Sequence, residues 1–170
     1  TLAVNIGRSH LGKVIFIATA PNLDDDMSER IKRHQLERPE WETIEEECEI
    51  LSHLKRGKSG DLLIVDCITL WVSNLLFHGK TEKEIIDAAI EIGQVARTSP
   101  CAFVMVTNEV GMGIHPETDL GREYRDLLGK VNQILVKEST KALFVISGRV
   151  MNLQNFSDID DFTFQQGISS

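Results

Sequence analysis

Asp61-Leu62-Leu63-Ile64-Val65-Asp66 is the stretch that decides the class of fold. Four consecutive branched aliphatic residues lie between two carboxylates. A strand with one face in water alternates apolar and polar residues, whereas a strand covered on both faces is apolar throughout. This run is of the second kind. Working outward, residues 2–6, 14–19, 102–107 and 142–147 are each about strand length and of similar character, rich in Val, Ile and Phe. Between them lie stretches that read as helices: a polar one over 24–34, an acidic one over 41–54, and two amphipathic ones over 81–96 and 120–138. Strands alternating with helices predict a mostly parallel α/β sheet flanked by helices, in one domain over 1–170. The tail after about residue 150 carries no assignment. Ligands of such sheets bind beyond the carboxyl ends of the strands, so the segments after Ile6, Thr19, Asp66, Thr107 and Ser147 are the places to search.

Composition narrows the chemistry. Eighteen Lys and Arg against 26 Asp and Glu give a formal net charge of -8. That balance disfavours a general nucleic-acid binder, which needs basic patches, but leaves room for a small phosphorylated ligand held by local donors. Cys48, Cys67 and Cys101 are odd in number and far apart, which argues against a disulfide framework and a CxxC metal site. With no apolar run of about 18 residues and no signal-peptide pattern, the expectation is a cytoplasmic protein without membrane insertion.

Gly7-Arg8-Ser9-His10-Leu11-Gly12-Lys13 has the spacing of a phosphate-binding P-loop. Such a loop continues with Ser or Thr and opens a helix. Here Val14 follows and a strand begins, so the match is read as accidental. If residues 2–6 are a first strand, Gly7 starts its glycine loop, and a phosphate loop and first helix are missing after Gly7, because a parallel crossover takes about a dozen residues.

Three segments carry candidate chemistry. Asp66 ends a buried strand, the form of a Walker B carboxylate that helps hold Mg²⁺ near phosphates; a helix cap is the equal alternative. His34 stands in a hydrophilic setting with Arg33, Gln35, Glu37 and Arg38, either as a reactive imidazole or as a solvated surface residue. The run 106–117 follows a strand with two glycines and a proline, which makes a shaped loop at the ligand edge or an ordinary connection.

Three blocks now matter together. VTNEVGMGIHPETDLGREYRDLLGKVNQ (106–133), IATAPNLDDDMSERIKRHQLERPEWETIE (17–45) and DCITLWVSNLL (66–76) resemble, in the same order, segments of the bifunctional adenosylcobinamide kinase / adenosylcobinamide-phosphate guanylyltransferase family. The resemblance implies a P-loop NTPase-like (RecA-like) fold and a homotrimer. It implies two reactions: phosphorylation of the aminopropanol hydroxyl of adenosylcobinamide, and transfer of GMP from GTP to that phosphate with release of pyrophosphate. It places the guanylylated histidine at His34. It places nucleotide contacts at Gly7, at Ala18, Thr19 and Ala20, at Gln35, Leu36, Glu37 and Arg38, and at Glu45 and Asp66. Asp66 is also the implied metal ligand, for Mg²⁺, with GTP and ATP as substrates. Small-molecule corrinoid and nucleoside triphosphate are the implied partners. The departure from the family is the missing glycine loop. Two rival readings are a P-loop kinase without guanylyl transfer and a non-catalytic GTP-binding regulatory protein.

Overall fold

The computed structural model describes residues 1–21 and 40–154. In chain order these form α1 (Leu2–Ser9), β1 (Val14–Ala18), β2 (Glu42–Glu45), α2 (Ile50–Leu54), β3 (Leu62–Asp66) and α3 (Ile68–Phe77). Then come α4 (Glu82–Thr98), β4 (Ala102–Val106), a 3-10 turn (Val110–Met112), α5 (Asp119–Glu138), β5 (Ala142–Ile146) and β6 (Arg149–Leu153). The helix expected over 24–34 and the tail from 155 onward lie outside the described residues.

Four strands form a parallel sheet in the order β2-β1-β3-β4. Its central strands bury alternate residues on opposite faces. Ile17, Leu63 and Val65 point into one layer with Ile50, Leu54, Ile68, Trp71, Ile85, Ile92, Leu127 and Leu128, supplied by α2 to α5. Val14, Phe16, Leu62 and Ile64 face the other way, against Ala3 of α1 and half-buried Trp41. Both faces are covered, which is why β3 has no polar residue inside it. Each fully buried aliphatic side chain of this kind contributes about 1.5–3 kcal/mol of transfer free energy. The flanking helices start on chemical stops. Thr81 and Glu84 exchange a capping box at α4, and Thr118 accepts from the Gly121 N–H at α5.

Three expectations are corrected. Residues 2–6 are not a strand: α1 runs through Gly7 to Ser9, capped by Thr1, and residues 10–13 lead directly into β1. A helix therefore stands where a strand was expected, and Gly7 lies inside it rather than at the start of a glycine loop. Gly7 is buried where a Cβ would lie 2.3 Å from the Trp41 ring and 3.1 Å from Ile64 Cδ1, so it lets α1 lie close on the sheet. Second, residues 41–54 are not one helix. Glu42–Glu45 pairs with β1 as an edge strand, and only Ile50–Leu54 is helical. Third, 142–147 does form a strand, but it pairs antiparallel with β6 rather than joining the parallel sheet. Ser147 (φ 50) and Gly148 (φ 74) make the two-residue turn that folds the chain straight back.

Candidate functional site

The parallel register sets Glu45, Ala18, Asp66 and Val106 side by side at the carboxyl ends of the four strands. Neighbouring strands are about 4.8 Å apart, so the Glu45 and Asp66 backbones flank Ala18 at about 10 Å from each other. Four candidates from the sequence, Ala18, Ala20, Glu45 and Asp66, are thus gathered on one edge. Gly7 is not among them. His34, Gln35, Leu36, Glu37 and Arg38 lie outside the described residues.

Thr19 also belongs to this edge, but every polar group it has is engaged inside the protein. Its hydroxyl donates to the Cys67 carbonyl and accepts from the Cys67 N–H, each at 2.7 Å. Its N–H donates to the Asp66 carbonyl, and its own carbonyl accepts from Asn74 Nδ2 at 2.8 Å. Thr19 ties the end of β1 to the end of β3 and so fixes the backbone on which Asp66 stands. Asn74 also donates to the Glu47 carbonyl, and Trp71 Nε1 donates to the Cys48 carbonyl at 2.8 Å. Helix α3 therefore stitches the turn after β2 to the same edge. Burial pushes the Cys67 thiol up, with the Asp66 carboxylate adding to it.

Glu46, next to Glu45, is an internal cap. Burial works to raise its pKa, but the backbone N–H groups of Cys48 and Glu49, at 3.0 and 2.8 Å, and His53 outweigh it and hold the carboxyl below its ordinary value. The P-loop-like spacing before β1 is accidental, as expected. Lys13 stands at the amino end of β1, paired with Glu42 at 2.5 Å, on the opposite edge from the candidate site. Because α1 ends on that amino edge, where His10 meets the Gly60 carbonyl, its N-terminal end runs back toward the carboxyl edge.

The loop after β4 holds groups that the sequence reading did not assign. Thr107 donates to Asn132 Oδ1 at 2.7 Å, and Asn132 Nδ2 donates to Glu109 Oε1 at 2.8 Å and to the Asn108 carbonyl at 3.2 Å. Asn108 in turn donates to Thr69 Oγ1 from its N–H and from Nδ2. Tyr124 donates to the Thr69 carbonyl, and burial raises its phenol pKa. Further along, Arg122 donates to the carbonyls of Pro116 and Glu117, and Arg125 to His115 Nδ1 at 2.6 Å. The shaped loop is thus clamped to α5 along its length. A signal was present in the sequence: Asn132 sits on the apolar stripe of an amphipathic helix, where a polar residue needs partners.

Among the described residues, no group of three or more His, Cys, Asp or Glu is placed to hold a metal. Magnesium bound through a nucleotide needs fewer, since one or two carboxylates plus phosphate oxygens and water complete its shell. A half-buried Asp66 at the strand end fits that requirement. No helix among the described residues is long and apolar enough to cross a membrane.

Comparison with known proteins adds the chemistry. Residues 1–153 match the family described as cobinamide kinase / cobinamide phosphate guanyltransferase. The chain is 36% identical over 151 residues to the bifunctional adenosylcobalamin biosynthesis protein CobU of Escherichia coli strain K12, covering 80% of this chain and 83% of that one. It is 39% identical over 154 residues to the protein of the same name from Salmonella typhimurium, with the same coverage. It is 33% identical over 144 residues to the bifunctional adenosylcobalamin biosynthesis protein CobP of Pseudomonas aeruginosa, over 83% of this chain and 82% of the relative.

Proposed function

The chain belongs to the cobinamide kinase / cobinamide phosphate guanyltransferase family, and from that premise we propose how its own residues serve the two reactions. The protein is a bifunctional kinase and nucleotidyltransferase of cobalamin biosynthesis. In the first reaction a nucleoside triphosphate, ATP or GTP, phosphorylates the aminopropanol hydroxyl of adenosylcobinamide. In the second, GMP passes from GTP to that phosphate.

The observation that carries the residue assignment is the register of Glu45, Ala18 and Asp66 across three adjacent strand ends. It supports a nucleotide lying along the carboxyl edge. Ala18 and Ala20 offer it a wall without bulk, and Glu45 a hydrogen-bond acceptor for the base or ribose. Thr19 contributes by holding that wall to β3, since its hydroxyl is already committed to Cys67. The N-terminal end of α1 adds N–H groups and a partial positive charge, which favour phosphate. Asp66 is the carboxylate for Mg²⁺. When bound, the cation supplies charge neutralisation for the phosphates.

His34 is the guanylyl acceptor in this reading, with Gln35, Leu36, Glu37 and Arg38 contacting the same nucleotide. Imidazole is mostly neutral at pH 7, and only the neutral ring can attack phosphorus. A nitrogen lone pair of His34 forms a bond to the α-phosphorus of GTP. The bond from that phosphorus to the β-bridging oxygen breaks, and pyrophosphate leaves. A phosphate oxygen of adenosylcobinamide phosphate then attacks the same phosphorus and releases the imidazole. One difficult exchange becomes two easier displacements. Arg38 would present a guanidinium to the phosphates, matching their oxygens two at a time. The same reading includes a cytoplasmic homotrimer, which sedimentation equilibrium would register directly.

The test is covalent labelling. With α-labelled GTP, the protein is expected to form an acid-labile, alkali-stable adduct. His34→Ala is expected to form none while still binding GTP. An adduct of undiminished yield in that variant would assign the nucleophile elsewhere.

A further inference from the structure

We propose that Glu109 accepts the proton of the hydroxyl that is phosphorylated, and that Asn132 is its positioning residue; the assignment rests on the kinase reading above. Strand β4 ends at Val106, level with Asp66 on the neighbouring strand. Three residues further on, Glu109 stands exposed at the same carboxyl edge. Its Oε1 accepts from Asn132 Nδ2 at 2.8 Å. Asn132 comes from α5 and is only 4% exposed. Its side-chain bonds among the described residues go to three consecutive residues: from Thr107, to the Asn108 carbonyl and to Glu109. Thr69 grips Asn108 from the other side.

A buried amide must be fully bonded to be tolerated. Here one is kept in the core with its bonding capacity directed at the loop that carries Glu109. The effect is to fix one carboxylate oxygen of Glu109 and leave Oε2 without a partner among the described residues. Glu46, by contrast, is committed to the N–H groups of Cys48 and Glu49, and Asp66 is assigned to the cation. Among the described residues, Glu109 is thus a carboxylate held at this edge by one oxygen, with the other to spare.

Phosphorylation needs such a group. As the acceptor oxygen bonds to the γ-phosphorus of the nucleotide, its O–H bond breaks and the proton passes to Glu109 Oε2. The bond between the γ-phosphorus and the β,γ-bridging oxygen breaks, and its electron pair leaves with the nucleoside diphosphate. Guanylyl transfer starts from a phosphate oxygen that carries no proton to remove. The two reactions therefore differ in their need for Glu109.

That difference is the test, run on the full chain with each reaction assayed separately. Phosphorylation is followed with cobinamide and labelled triphosphate; guanylyl transfer is started from cobinamide phosphate and GTP and read as pyrophosphate. Glu109→Gln keeps the acceptor for Asn132 and cannot take a proton. It is expected to slow phosphorylation by about 100-fold or more, the usual share of a general base, with guanylyl transfer kept. Glu109→Ala with added formate is expected to regain part of the phosphorylation. Asn132→Ala is expected to show the same selective loss, which general loosening of the fold would not give, and Asn132→Gln to recover part of it. Phosphorylation by Glu109→Gln at the wild-type rate, or equal loss of both reactions, overturns the assignment. A wild-type chain that phosphorylates no cobinamide overturns the parent reading, and this assignment with it.

Discussion

At the scale of the residue, the carboxyl edge of the sheet is held by side chains whose bonds lie inside the protein. Thr19 is fully buried and exchanges two 2.7 Å bonds with the backbone of Cys67. Thr19→Val keeps the shape but leaves the Cys67 N–H and carbonyl without that partner. It is expected to cost about 1–3 kcal/mol, seen as a lower urea midpoint at unchanged slope. Thr19→Ser keeps the hydroxyl and is expected to lose less. Equal midpoints for wild type and the valine variant would mean that the clasp holds nothing. The motif containing Thr19 was legible in the sequence, but its task was not. Alternation along a strand does not say whether a hydroxyl at its end turns inward, and the partner that decides it is 48 residues away. The same applies to Asn132, visible as a polar break in an apolar stripe but silent about Glu109 until the loop after β4 is folded against it.

At the scale of the element, two glycines separate packing from propensity. Gly7 is in α1 where the space for a Cβ is occupied by the Trp41 ring. Gly129 is in α5 with nothing within 4 Å of the same position. Gly7→Ala must displace either the helix or the indole and is expected to cost about 1–3 kcal/mol. Gly129→Ala relieves the backbone entropy of a helical glycine and is expected to gain up to about 1 kcal/mol. Thermal unfolding of the two variants should therefore shift in opposite directions; shifts of the same sign would show that α1 does not lie as close to the sheet as described. These contacts also explain what the sequence hid. A five-residue apolar run such as 2–6 fits a strand or one face of a helix equally well. In the fold the face carrying Gly7 packs on Trp41, far along the chain, a contact that local pattern does not reveal. Glu42–Glu45 is misleading in the opposite sense: Ile44, Cys48 and Leu51 have helical spacing, yet the hydrogen bonds of β1 make the first of them part of a strand. By contrast, Leu62–Asp66 was legible to the residue, because a fully apolar run between carboxylates has one use in a covered sheet.

At the scale of the whole molecule, charge sets the range of pH in which the fold is most stable. The chain carries a net -8, and its ion pairs, such as Lys55–Glu91 and Lys130–Glu82, are half exposed and contribute little each. The groups that matter are those whose pKa folding moves. Glu46 and Glu84 are held below the ordinary carboxylate value, Glu46 against the opposing pull of burial and Glu84 by the Thr81 backbone and hydroxyl. In acid the unfolded chain binds more protons than the folded one at these sites, so their stabilisation is complete above the unfolded pKa and is lost as pH falls through the folded one. Cys67 has the opposite sign. Burial raises its thiol, so the unfolded chain loses that proton first, and stability falls as pH rises from the unfolded thiol value of about 8.5 toward the folded one. Urea midpoints are therefore expected to form a plateau that falls on both sides, the acid side belonging to Glu46 and Glu84 and the alkaline side to Cys67 together with Cys48 and Tyr124, which burial also raises. Glu46→Gln, which keeps an acceptor for Cys48 and Glu49 but no charge, should make the acid side shallower, with Glu84 keeping its share and the alkaline side unchanged. Cys67→Ala should make the alkaline side shallower, with Cys48 and Tyr124 keeping the rest and the acid side unchanged. An alkaline fall of undiminished steepness in Cys67→Ala would show that folding does not raise the thiol beside Asp66.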